Sequence, residues 1–178
     1  MWRHVPRGGR PLDFQYLLKA EGRWNRVGVY GALYTAETPA CVAAEYRKRR
    51  DQYGIGRPRD LFGIRIVARS IHDLVHHGIP SVLEKERLRT PLDQPPIIYG
   101  DRSVDLEFCR RIADHVRAAG AVGLRAPSAA DSSEAIFVLY PENDPSKIEL
   151  EVARGPIPLN YGTDPYLGPD GLPTHGTP

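Results

Sequence analysis

From Ser103 to Gly120, apolar Phe108, Ile112, Val116 and Ala119 recur at helical spacing, with Ser103 placed to cap the first turn and Gly120 to end the last. A helix with one apolar stripe must lay that stripe on another apolar layer. The residues that follow provide it. Residues 121–126 and 134–140 read as strands on either side of a loop at 127–133, and residues 147–153 alternate Ile148, Leu150 and Val152 with Glu149 and Glu151. The last two of these segments read as antiparallel neighbours about a turn at 141–146.

Upstream, Trp2 to Val5 reads as a short strand before a Gly/Pro-rich turn region at 6–11, and residues 27–35 read as extended structure interrupted by Gly28 and Gly31. Thr38-Pro39 is a helix start, because the hydroxyl can take an orphan amide and proline is tolerated in the first turn; the helix is expected to run to about Asp51. Residues 60–69 read as a buried strand, 71–89 as short helical pieces broken by Gly78 and Pro80, and 90–101 as a Pro-rich loop. Strands outnumber helices and do not alternate with them regularly. That pattern predicts an α+β fold: one mixed, mainly antiparallel sheet with flanking helices. At 178 residues the chain fits one domain, expected over 1–154, with a Gly/Pro-rich C-terminal tail over 155–178 where apolar periodicity stops.

Twenty-four basic against 22 acidic side chains leave a net charge of +2, so no global field draws the chain to nucleic acid or anionic lipid. Direct nucleic-acid or membrane binding is not expected. Cys41 and Cys109 lie far apart and in no metal-binding spacing, so neither a disulfide framework nor a metal site is expected. No segment is long and apolar enough to span a bilayer and residues 1–10 hold no apolar signal core, which predicts a cytoplasmic location.

Four positions stand out chemically. On the helix after Thr38, Cys41, Val42, Glu45, Tyr46 and Arg49 share one side, so Glu45 interrupts a half-apolar face. A carboxylate there either pairs with Lys48 or Arg49 on a rotated, solvated face, or is held for use. Arg23, between Gly22 and Trp24, is either a solvated turn residue or a guanidinium presented to a phosphate or carboxylate beside an aromatic plane. Tyr34 fits a sheet position or a ring stacked on a planar ligand, and Ser128 fits a turn cap or a functional hydroxyl on a loop between strands. His72, His76 and His77 lack the glutamate of a helical zinc motif, and residues 22–31 match neither dinucleotide nor triphosphate loops.

Taken in order, Gly22-Arg23-Trp24-Asn25, Ala32-Leu33-Tyr34-Thr35-Ala36-Glu37, Ala43-Ala44-Glu45 and Gly123-Leu124-Arg125-Ala126-Pro127-Ser128-Ala129 resemble the RES domain. The likeness extends from about Trp2 to Val152, with Glu21 where many relatives carry a second glycine. It implies a fold similar to ADP-ribosyltransferase toxins and cleavage of the nicotinamide–ribose bond of NAD, by water or by inorganic phosphate as co-substrate, with no prosthetic group. It implies that Arg23, Tyr34, Glu45 and Ser128 carry the reaction, and that Arg23, Trp24, Asn25, Tyr34 and Ser128 contact substrate. It also implies a toxin of a toxin–antitoxin pair, held by an Xre-like helix-turn-helix antitoxin. Transfer of ADP-ribose to a protein and a catalytically silent binding module are the alternatives.

Overall fold

The computed structural model describes residues 1–53, 58–83, 106–131 and 133–159, at 49–53 the backbone alone. Strands β1 (Trp2–Pro6), β2 (Leu33–Ala36), β3 (Arg59–Ala68), β4 (Ile71–Asp73), β5 (Gly123–Pro127), β6 (Ala135–Leu139) and β7 (Ile148–Leu159) form a seven-stranded sheet in the order β4-β5-β6-β2-β1-β3-β7. Only β4 and β5 run parallel; the other neighbours are antiparallel. The expected α+β architecture is therefore what the chain adopts.

The helices that pack on the sheet near the site are α1 (Phe14–Leu17), α2 (Pro39–Tyr53) and α3 (Leu106–Ala118). Cys41 and Val42 of α2 join Phe108, Cys109, Ile112, Ala113 and Val116 of α3 in one buried cluster with Leu61, Leu124 and Val138 of the sheet. On the opposite face, Leu17 of α1 packs with Leu33, Leu139 and Ile148. Gly120 ends α3 as expected: at φ +82 it donates to Arg117 O while Ala121 N reaches back to Val116 O, the paired closure that a left-handed residue permits.

The sheet is weakest at its middle. β1 and β2 share the single register pair Trp2↔Ala36, whereas β3 and β7 share nine. Across that seam the Arg3 Nη1 donates to Tyr34 O at 3.0 Å, a side chain taking the place of a ladder bond. Burial pulls the Arg3 guanidinium down to about 10.

Four expectations need correction. β6 and β7 are not neighbours, because β2 lies beside β6 and β7 pairs with β3 at the other edge. Alternation fixes which face a strand buries, not which strand it joins. Residues 27–30 form a turn in place of a strand, with Gly28 at φ +74 and its amide on Leu18 O. Ile71–Asp73 is a strand, paired with β5, where helical pieces were expected. Finally, β7 continues past Gly155 to Leu159, so a boundary between 154 and 155 falls inside a strand. Pro156 and Pro158 are compatible with that strand because it lies at an edge, where a missing N–H costs no ladder bond. Residues 84–105, with the expected cap at Ser103, and the tail from 160 lie outside the described residues. Among the described residues no helix is long and apolar enough to cross a membrane.

Candidate active site

Thr38 starts α2 as its sequence predicts: its hydroxyl accepts from Cys41 N at 3.0 Å and donates to Glu134 Oε1 at 3.1 Å. The helix then buries Cys41, Val42, Ala43 and Tyr46, which leaves Glu45 half-buried at the margin of that face. Glu45 does not turn to Lys48. Its Oε1 accepts from the Ser128 hydroxyl at 2.5 Å, from Ala129 N at 2.8 Å and from Ala130 N at 3.3 Å. These three hydrogen bonds all fall on Oε1 and fix the orientation of the carboxylate, with Oε2 outside the cradle.

The cradle for Oε1 is built by the β5–β6 connection. Ser128 is fully buried, its amide donates to Glu134 O, and its hydroxyl accepts from Ala130 N at 3.1 Å and Asp131 N at 3.2 Å. Lys48, one turn beyond Glu45, donates to Ala129 O at 2.5 Å and holds the same loop from the helix side. Lys48 was not among the residues read from the sequence as functional, because a basic run at a helix end is adequately explained as solvated.

A second group forms around Tyr34. Its hydroxyl accepts from Trp24 N at 2.8 Å and donates to Asn25 Oδ1 at 3.0 Å, while Asn25 Nδ2 donates to Ala20 O at 2.8 Å. Burial pushes the Tyr34 phenol up, and the positive charges of Arg23 and Arg110 act against that shift. Gly22 closes an isolated bridge with Asn25, so that Arg23 and Trp24 occupy the turn between them. Here glycine is required, since a Cβ at residue 22 would lie 2.2 Å from the Tyr34 hydroxyl.

Two direct pairings thus emerge: Glu45 with Ser128, and Tyr34 with the turn that carries Arg23. β1 lies between them, since Arg3 bonds the Tyr34 carbonyl and the His4 ring meets Tyr46, next to Glu45, edge-on at 5.0 Å. Trp24 and Asn25, expected as substrate contacts, are 0% and 1% exposed. They build the turn from inside. Ser128, equally buried, donates to Glu45 while its hydroxyl closes its own turn through Ala130 N and Asp131 N. Arg125 is engaged by Glu37 at 3.0 Å and Asp73 at 3.3 Å.

Cys41 lies one turn before Glu45, and burial pushes its thiol up from 9.0 to about 12, with the Glu45 charge raising it further and the Ser128 hydroxyl opposing. Between those values the unfolded chain carries a thiolate and the folded chain a thiol. The stability tied to this group is therefore present below pH 9 and lost as pH rises toward 12. Melting curves should show Tm falling less steeply over this alkaline window in Cys41→Ala than in the unsubstituted chain.

A family model described as RES domain matches residues 1–161. The chain belongs to the RES-domain family. Among solved structures, this RES-domain chain is similar to one from the crystal structure of the M. tuberculosis MbcT–MbcA toxin–antitoxin complex, with a TM-score of 0.65 at 17% identity. The match covers 89% of this chain and 82% of that one, and it establishes a shared fold. No curated protein matches the sequence.

Proposed function

We propose that this RES-domain chain cleaves the nicotinamide–ribose bond of NAD and acts as the toxin of a toxin–antitoxin pair. The observation that carries the reading is the fixed carboxylate: three donors converge on Glu45 Oε1 and set the direction of Oε2. Departure of nicotinamide with the bonding electron pair leaves positive character on C1′ and the ring oxygen of ribose. A preoriented negative oxygen stabilises that charge as it develops, without reorganising at the moment of reaction. Glu45 is the residue for this task, with Oε2 toward the ribose. Arg23 would hold the pyrophosphate by paired N–H bonds, converting binding of the remote half of NAD into a fixed pose of the ribose. Tyr34 would present its half-buried ring to nicotinamide.

Water, losing a proton to solvent, or inorganic phosphate would then bond through oxygen to that anomeric carbon, taking the place of the bond to nicotinamide. Family membership supports the NAD reading, since NAD is the substrate that the resemblance to RES-domain toxins implies. The likeness to a chain of a toxin–antitoxin complex supports an antitoxin as partner, and the family resemblance suggests one of Xre-like type.

The test is product analysis after incubating the purified chain with NAD, with and without phosphate. Release of nicotinamide is expected in step with NAD loss, together with free ADP-ribose or its 1″-phosphate. Intact NAD under both conditions would sink the proposal, and ADP-ribose recovered on a protein would move it to the transferase alternative.

A further inference from the structure

The polar side of α3 has no part in the chemistry above, yet its charged residues converge on one segment. Arg26 places Nε on Asp114 Oδ2 at 2.8 Å and both terminal nitrogens on the Glu107 carboxylate, at 2.9 and 2.6 Å. The Tyr30 hydroxyl donates to the other Asp114 oxygen at 2.9 Å. Arg117 lies 3.8 Å over the Tyr30 ring, and Arg110 pairs with Glu21 at 3.0 Å. Residues 107, 110, 114 and 117 follow one another at helical spacing, so a single stripe of α3 grips residues 21, 26 and 30 on both sides of Arg23.

Ion pairs this exposed add little to stability one at a time. Their joint effect is geometric. The Arg23 turn carries the Gly22↔Asn25 bridge in place of a regular ladder, and the Tyr34 hydroxyl on Trp24 N and the Tyr140 hydroxyl on Trp24 O, at 2.8 and 3.0 Å, hold its backbone. Those bonds fix its inner side; the α3 stripe fixes its outer side.

We infer that Asp114, with Arg26 and Tyr30 as its partners, is a positioning residue for Arg23, locking the turn that presents the guanidinium to the anionic part of the substrate. The inference rests on the NAD reading for the identity of that substrate, but not for the locking itself. Sequence pattern conceals it, because Asp114 sits on the polar side of an amphipathic helix, where any acidic residue is unremarkable.

The test is a cycle of Asp114→Ala, Arg23→Ala and the double variant, read as KM and kcat for NAD, with amide hydrogen exchange on each. Asp114→Ala should raise KM about tenfold with a smaller loss in kcat, as a displaced binding group does. In the Arg23→Ala background it should change kcat/KM by less than about twofold, because the group it positions is gone. The same tenfold cost in both backgrounds overturns the inference. The amides of Trp24 and Gly28 should exchange faster in Asp114→Ala than in the unsubstituted chain, and unchanged exchange overturns it whatever happens to NAD. If the unsubstituted chain leaves NAD intact while exchange at these amides still speeds up, the NAD reading fails and the locking stands. Arg26→Lys, which keeps the charge and loses the two-pronged pairing, gives the same cycle should Asp114→Ala not fold.

Discussion

Glu45→Gln is expected to lower kcat on NAD by about a hundredfold or more, on the order of 3 kcal/mol of barrier, with KM held within about threefold. The substitution suits the question because glutamine keeps the length of the side chain and an oxygen for the three donors at Ser128, Ala129 and Ala130. Tm should therefore stay close to that of the unsubstituted chain, and loss of rate can be assigned to loss of charge. A neutral amide offers a dipole where the developing oxocarbenium needs a full negative charge. Ser128→Ala tests the support in place of the charge: it removes one of the three donors and should cost less rate than Glu45→Gln. A Glu45→Gln variant with near-normal turnover would take the carboxylate out of the mechanism and leave its cradle a structural motif.

The parts of this molecule that were legible in sequence are those set by neighbours along the chain. The α3 stripe, the Thr38 cap and the strand propensity of residues 60–69 are local properties, and each element formed close to where its residues imply. Strand partnership is not local, which is why β7 was expected beside β6 and lies beside β3, with β2 taking the place at β6. The turn at 27–30 was hidden by valines at 27 and 29, residues of high strand propensity; both are exposed, and Gly28 in the left-handed region decides the path. For the site, the resemblance names four residues, yet most of the groups that hold them in place carry no signal of their own. Glu45 interrupting an apolar face was visible as an anomaly, whereas the backbone amides of Ala129 and Ala130 that answer it carry no signal in side-chain identity. Lys48 and Asp114 were invisible for a related reason: a lysine near a helix end and an aspartate on a polar helix face look ordinary until a loop distant in sequence comes to meet them.

Trp24→Ala should be the most destabilising single change at the site, about 3–5 kcal/mol, the range for truncating a fully buried large aromatic. In a domain of this size that corresponds to a fall in Tm of roughly 10 °C or more, a large share of the total stability of an ordinary domain. The reason is position. The Trp24 side chain is 0% exposed within the main core cluster, between a backbone amide held by Tyr34 and a carbonyl held by Tyr140. Removing the indole opens a void directly beneath the Arg23 turn, so that melting and loosening of the turn go together. Had the indole lain against substrate, the outcome would be the reverse: Tm nearly unchanged and KM for NAD raised. Thermal unfolding of Trp24→Ala beside its KM separates the two, and a variant that melts with the unsubstituted chain but binds NAD poorly would return Trp24 to the binding surface. Trp24→Phe sharpens the distinction, since it keeps much of the buried area and should recover most of the lost Tm.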